Sequence, residues 1–297
     1  MATADLRPGP DLVVIGVKRG GTTSVFRDLE THPAMLPLVP SARRLPLREN
    51  QKGVHYFDTG FDRSERWYRS HFAARPARWL RRRRVGAAVT AEASPYYFFQ
   101  PSAAARAAAA LPDALFVVVL RDPVERTVSH WAEQTRNGVE TLPLDDAIDA
   151  ESERLGDAAD RLATGAIASS HAHEQQSFAL QSEYADSLER WFDAAGRDRV
   201  HVVFSEDYYR DPETVLNGIV GRLGLDPFPA GVGAHRNAAP RPGRLDSDLE
   251  KRLVDRFAAD VERVASLVGS TPPWPRFSSD ASAPADPSAS EVDASGR

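Results

Sequence analysis

The chain has 297 residues, of which 42% are hydrophobic and 27% are charged, and its formal net charge is −5. This composition is typical of a soluble globular domain with an ample core, and the negative charge argues against a nucleic-acid partner. The chain has no cysteine, which excludes disulfides and cysteine nucleophiles. The spacing of its histidines leads us to expect no metal. Its apolar runs are too short to cross a bilayer, so we expect no stable membrane insertion and a cytoplasmic location.

Short β-branched runs alternate with amphipathic helical patterns along the chain. This alternation predicts an α/β fold, with a single P-loop-like domain whose central, mainly parallel sheet has helices on both faces. The predicted strands are 12–16, 88–92, 115–120 and 200–204. The predicted helices are 22–31, 101–112, 123–136, 177–194 and about 245–264. We expect a flexible N-terminus at 1–10, one domain over 11–277, and a disordered tail at 278–297.

The segment VIGVKRGGTTSVF, residues 13–25, has almost the spacing of a Walker loop. Thr22, however, stands where the Walker lysine belongs. A strand, a glycine-rich turn and a helix that begins at Thr22 aim backbone N–H groups and a positive helix end at one point, which favours an anion there over a merely tight connection. The residues predicted to bind this anion are Lys18, Arg19, Gly20, Gly21, Thr22, Thr23 and Ser24.

A second candidate site lies in LFVVVLRDPVERTVSHW, residues 115–131. Arg121 follows a buried strand, at the edge where open α/β sheets bind ligands, and an arginine can bind a phosphate with two hydrogen bonds. An NTPase more often has an aspartate for magnesium at this point. The two segments together therefore indicate a nucleotide with phosphates in two places and no magnesium. The structural alternative is that Arg121 and Asp122 pair with each other or with Arg126.

These two segments, in this order, resemble those of sulfotransferases that use 3′-phosphoadenosine 5′-phosphosulfate (PAPS). The segments KGVHYFD (52–58), WYRSHF (67–72) and TAEASPYYF (90–98) resemble the heparan-sulfate sulfotransferase branch and its bacterial relatives, over about residues 11–270. The resemblance implies PAPS as the sulfuryl donor, with its 5′-phosphosulfate on the loop. Its 3′-phosphate would lie on Arg121 and Ser129, under a closing loop that offers Arg236, Asn237 and Arg241.

The chain departs from the family pattern at two positions. Arg19, preceded by Lys18, stands where the family usually has its catalytic lysine, and the resemblance makes both residues candidates for neutralising the leaving phosphate. Gly53 stands where the glycosaminoglycan branch commonly has a glutamate base. His55 is therefore the candidate base, because its ordinary pKa suits proton transfer near neutrality. The alternative bases are Asp58, Glu49 and Glu92, and Asp58 and Glu92 are also candidate substrate-binding residues.

The predicted function is the transfer of a sulfuryl group from PAPS to a hydroxyl or amine of a glycan, glycolipid or secondary-metabolite acceptor. Two other classes stay open. One is an ATP-dependent P-loop kinase or NTPase, against which Thr22 in the lysine position argues. The other is a catalytically silent nucleotide-binding protein, which Gly53 and Arg19 keep open. The sequence does not determine the oligomeric state.

Overall fold

The computed structural model of the chain describes residues 4–39, 52–233 and 245–278. A sheet of five parallel strands forms the centre of this part of the chain. The strands are β1 (Leu12–Gly16), β2 (Met35–Leu36), β3 (Val89–Ala93), β4 (Leu115–Leu120) and β5 (Val200–Phe204). Their order in the sheet is β2-β3-β1-β4-β5. The predicted tail, residues 278–297, lies outside the described residues except for Ser278.

Thirteen α-helices surround the sheet in the described ranges. They are α1 (Thr22–Leu29), α2 (Glu65–Arg69), α3 (Arg75–Val85), α4 (Ala103–Ala110), α5 (Pro123–Arg136), α6 (Leu144–Asp149), α7 (Glu151–Leu155), α8 (Ala158–Thr164), α9 (His171–Gln175), α10 (Ala185–Ala195), α11 (Ser205–Arg210), α12 (Pro212–Arg222) and α13 (Ser247–Val268). Short 3₁₀ turns occur at Ala4–Leu6, Leu180–Ser182, Arg197–Arg199 and Pro275–Phe277. None of the helices described is both long and apolar enough to cross a bilayer.

Alternate residues of the central strands enter two separate cores. Val13 and Val118 pack on the side of α4, α5, α10 and α13, whereas Val14 and Val117 pack on the side of α1 and α12. Because successive strand residues point to opposite faces, an unbroken apolar run is what a sheet buried on both faces requires. The predicted α/β fold with helices on both faces is confirmed.

The predicted helix over 177–194 is wrong in its first part, since α10 begins only at Ala185. The carboxylate of Asp260 accepts the backbone N–H groups of Tyr184 (2.7 Å) and Ala185 (3.0 Å). Further upstream, the buried carboxylate of Glu151 accepts two more backbone N–H groups. These distant carboxylates satisfy backbone donors that would otherwise bond within a longer helix.

All five strands are parallel, so their carboxyl ends meet at one edge of the sheet. The segments that follow these ends carry the candidate site residues: the loop after β1, Ser94 after β3, Arg121 after β4 and Ser205 after β5. Ligands of open α/β sheets bind at this edge. The fold therefore places the two sequence motifs side by side.

Candidate functional site

The turn between β1 and α1, residues 17–21, presents the start of α1 to an open cleft. A Cβ atom on Gly20 would lie 2.5 Å from the carbonyl oxygen of Val119, and Gly21 has a φ of +93°, so both positions require glycine. The N-cap residue of α1 is Gly21, which has no side chain to cap the helix. Its first backbone N–H groups and the positive end of its dipole are therefore available to an anion.

A cleft of about 960 Å³ opens at this edge of the sheet. This volume lies in the range of small-molecule sites. The cleft is bounded by the loop, α1, α5, the ends of β4 and β5, and the segment that follows α13. Its lining residues are Lys18, Arg19, Gly21, Thr22, Thr23, Ser24, Lys52, Pro95, Arg121, Asp122, Glu125, Glu133, Ser205, Glu206, Tyr209, Pro273, Trp274, Pro275 and Arg276.

The three predicted cations that lie in the described residues are each ion-paired with a carboxylate. The pairs are Lys18–Glu174 (3.1 Å), Arg19–Glu133 (2.6 Å) and Arg121–Glu125 (3.2 Å). Burial lowers the pKa of Lys18, although the charge and hydrogen bond of Glu174 act in the opposite direction. An incoming phosphate would therefore exchange with these carboxylates as the partner of each cation.

The structure brings the loop and the segment after β4 into contact. Arg121 Nη1 donates to the carbonyl oxygen of Arg19 (3.4 Å), and Arg19 Nε donates to Ser129 Oγ (3.0 Å). In the described part of the chain, the side chains of Arg121 and Asp122 pair neither with each other nor with Arg126, and Asp122 instead caps α5. The motif arginine thus lies at the cleft wall next to the loop.

The segment that begins at Lys52 is pinned to the carboxyl end of β3. The carbonyl oxygen of Lys52 accepts the last backbone N–H of β3 (2.8 Å). The N–H of Val54 donates to Glu92 Oε2 (2.7 Å), and the N–H of His55 donates to Ser94 Oγ (3.0 Å). These three bonds fix the direction in which the side chains of Lys52 and His55 leave the segment.

Lys52 is a residue of the cleft that our sequence analysis missed. Its Nζ donates to Thr22 Oγ1 (3.1 Å) and Thr23 Oγ1 (2.6 Å) at the start of α1. Burial, followed by the positive charge of Arg27, lowers the pKa of Lys52 to about 8. The signal was present in the sequence, because a Walker-like loop without its lysine leaves room for a lysine from another segment.

His55 and Asp58 form a hydrogen-bonded pair. The distance between His55 Nδ1 and Asp58 Oδ2 is 2.9 Å, and the side chain of His55 is 42% exposed while that of Asp58 is fully buried. Burial lowers the pKa of His55, but the hydrogen bond and charge of Asp58 outweigh burial and raise it. With Nδ1 donating to Asp58, Nε2 is the nitrogen that can accept a proton.

Glu92 lies in the core and not at the cleft. We had expected Glu92 to be a substrate-binding residue. Its side chain is completely buried and accepts hydrogen bonds from the hydroxyls of Tyr68 (2.7 Å) and Ser94 (2.8 Å) as well as from Val54. Burial raises the pKa of Glu92. The structure therefore gives Glu92 a positioning role: it anchors the segment that carries Lys52 and His55.

Trp274 and Arg276 form one wall of the cleft. Neither residue was predicted from the sequence to belong to the site. Trp274 is buried against Phe204, with ring centroids 5.5 Å apart, and Arg276 Nη1 lies 3.0 Å from Asp122. A single tryptophan between prolines, in TPPWPRF, was the available signal.

Four predicted site residues lie outside the described residues: Glu49, Arg236, Asn237 and Arg241.

We expect Gly53→Ala to destabilise the protein, because a Cβ atom there would lie 2.5 Å from the carbonyl oxygen of Ala93 and 2.6 Å from Ser94 Oγ. Overpacking of this kind costs about 1 to 3 kcal/mol, which a denaturant titration measures. Gly53→Glu, which introduces the carboxylate common in the glycosaminoglycan branch, should cost at least as much. Gly218→Ala in α12 is the matched control, since a Cβ there meets nothing within 4 Å. An unchanged or raised stability for Gly53→Ala would contradict the close approach.

A parallel α/β sheet with a glycine-rich loop before its first helix, and with a cation at the end of the neighbouring strand, defines an open α/β protein with a cleft at the carboxyl edge, where such sheets bind ligands. A comparison with protein families then gives the class. The chain belongs to the sulfotransferase family, whose model matches residues 10–230.

Individual relatives agree with this family. Heparan sulfate glucosamine 3-O-sulfotransferase 6 of Mus musculus is 31% identical over 134 residues, which are 45% of this chain and 33% of the relative. The chain thus matches about a third of the length of that relative. Membrane-associated sulfotransferase kil1 of Dictyostelium discoideum is 20% identical over 330 residues, covering 89% and 66% of the two chains. A sulfotransferase structure from Alicyclobacillus acidocaldarius superposes with a TM-score of 0.62 at 25% identity, covering 88% and 96%.

Proposed function

We propose that this sulfotransferase takes its sulfuryl group from PAPS and transfers it to a hydroxyl or amine of a glycan, glycolipid or secondary-metabolite acceptor. The observation that carries the proposal is that the loop before α1 and Arg121 at the end of β4 line one cleft. We propose that each of the two binds a phosphate of the donor. A nucleotide with a single phosphate chain would need only the first.

The residues of the cleft suit such a donor. Gly20 lets the loop pack against β4, and Gly21 lines the cleft at the start of α1, where Thr22 and Thr23 add hydroxyls. Arg121 and Ser129 would hold the 3′-phosphate, with Arg19 linking the two ends of the cleft through its contact with Ser129. When bound, PAPS supplies a sulfuryl group already attached to a good leaving group.

On the acceptor side, His55 would remove the proton. The hydrogen bond to Asp58 fixes Nδ1 as the donor and leaves Nε2 free to accept. Because the carboxylate of Asp58 also stabilises the imidazolium that results, the pair suits general-base catalysis. A hydroxyl acceptor is supported by the likeness to a heparan sulfate glucosamine 3-O-sulfotransferase.

A ligand titration followed by thermal unfolding tests the donor. Adenosine 3′,5′-bisphosphate should raise the midpoint of unfolding more than 5′-AMP does, and more than ATP with magnesium does, because only the bisphosphate engages both ends of the cleft. Saturation at about 100 times Kd adds about 2.7 kcal/mol of stability. Transfer of radiolabelled sulfate from PAPS to a panel of sugar hydroxyls, phenols and amines then identifies the acceptor class. A larger shift with ATP and magnesium would overturn the proposal.

A further inference from the structure

Lys52 is the one lysine of the cleft that binds hydroxyls and not a carboxylate. The chain has three lysines, Lys18, Lys52 and Lys251, among many arginines, and two of the three line this cleft. Lys18 is held by Glu174, and in the described parts of the chain no carboxylate is ion-paired with Lys52. A compact ammonium group that stands at a helix start without a counter-charge marks the place where an anion is expected.

The geometry of Lys52 suits contact with such an anion. An ammonium group has three N–H bonds, and the hydroxyl oxygens of Thr22 and Thr23 accept two of them. One N–H therefore stays available, and each hydroxyl keeps its own hydrogen to donate onward. The three groups together form a donor cluster above the uncapped start of α1.

The position that precedes the glycine pair cannot easily supply the same charge. Arg19 is directed along α5, where its guanidinium contacts Ser129 (3.0 Å) and Glu133 (2.6 Å). Its backbone has a φ of +67°, which fixes the direction in which the side chain leaves the loop. The loop thus sends its own arginine onto α5, whereas Lys52 bonds the hydroxyls at the start of α1.

We propose that Lys52 is a catalytic residue, which contacts the 5′-phosphosulfate of the donor and supplies the positive charge that the loop itself lacks at the start of α1. This assignment rests on the proposed function. During transfer, the acceptor oxygen or nitrogen forms a bond to sulfur, and the bond from sulfur to the bridging oxygen of the 5′-phosphate breaks. The bonding electron pair stays on that phosphate, where Lys52 neutralises it, and the acceptor proton passes to His55.

The test measures binding of ligands that differ in one phosphate. Lys52→Met removes the charge and keeps most of the stem, and Lys251→Ala on the exposed side of α13 is the matched control. Calorimetry should show that Lys52→Met weakens the binding of adenosine 3′,5′-bisphosphate about 10- to 100-fold, since charge-assisted hydrogen bonds to the 5′-phosphate are lost. Binding of 3′-AMP, which has no 5′-phosphate, should stay within about twofold. In assays of sulfate transfer, kcat should fall more than affinity does.

The pH dependence of binding gives a second readout. The charged groups that act on Lys52 are Arg27 on α1, Arg19 in the loop and Glu133 on α5. Wild-type affinity for the bisphosphate should fall as pH rises through about 8, where free Lys52 loses its proton. Lys52→Arg should flatten this fall, because arginine keeps its charge. Lys18 is present in both proteins, so the difference between the two profiles reports Lys52.

Three results would overturn the assignment. Bisphosphate affinity of Lys52→Met within twofold of wild type would show that Lys52 does not contact the 5′-phosphate. Equal losses for the bisphosphate and for 3′-AMP would show a structural role. Failure of the wild-type chain to bind the bisphosphate at all would overturn the proposed function, and this assignment with it.

Discussion

Replacing His55 with alanine is expected to lower kcat about 10²- to 10⁴-fold while affinity for the donor changes only a few-fold. General-base help appears in the transition state and not in nucleotide binding, which explains the separation. The wild-type kcat/KM should rise with pH as His55 loses its proton, with a midpoint above the ordinary value because Asp58 raises the pKa of His55. Steady-state kinetics over a pH series measures both effects.

Asp58→Asn separates the base from its partner. The variant removes the carboxylate charge that raises the pKa of His55, so the rise of kcat/KM should move to lower pH and the plateau should fall. His171, exposed at the start of α9, is the matched control, and His171→Ala should leave the profile unchanged. A near wild-type kcat for His55→Ala would exclude His55 as the base and direct attention to Asp58 and Glu49.

Arg121→Ala is expected to weaken binding of adenosine 3′,5′-bisphosphate by about 2 to 4 kcal/mol and to leave the affinity for 5′-AMP nearly unchanged. The charge-assisted pair exists only with a ligand that has a 3′-phosphate. Calorimetric titration of both ligands measures the difference. Equal losses for both would show that Arg121 is structural.

Glu125 complicates the interpretation of Arg121→Ala and also supplies its control. Removing Arg121 leaves the Glu125 carboxylate at the cleft wall with Arg276, 3.2 Å away, as its ion-pair partner among the described residues. The double variant Arg121→Ala/Glu125→Gln removes the resulting repulsion. If Arg121 binds the phosphate, the double variant should recover only part of the lost affinity. Full recovery would assign the loss to the exposed carboxylate.

The fold could be predicted where local patterns determine it. β1 (LVVIG) and β4 (LFVVVL) are continuous apolar runs, which a doubly covered parallel sheet favours, and β3 and β5 are mainly apolar with polar residues between. The two-residue strand Met35–Leu36 is too short to leave a periodic signal. The start of α10 depends on Asp260, which lies 75 residues beyond the N–H of Ala185 that it accepts. A pattern read within a window of neighbouring residues does not contain such a contact.

The same distinction holds for the cleft. The loop and Arg121 could be placed together, because carboxyl ends of parallel strands share an edge. Lys52 could not be placed at the cleft in this way, because the direction of its side chain is set by hydrogen bonds from its segment to Glu92 and Ser94, about 40 residues away. The sequence shows Glu92 ending a strand, but only the fold shows that its carboxylate turns into the core.

The wall formed by Trp274 and Arg276 has a practical consequence for anyone who expresses or redesigns this protein. The family match ends at residue 230, yet the cleft is closed by residues more than forty positions further on. Arg276 also contacts Asp122, Glu125 and Glu250, so the wall ties the start of α5 to α13. A fragment whose boundaries follow the family match would keep every strand and the loop, but its cleft would be open on one side.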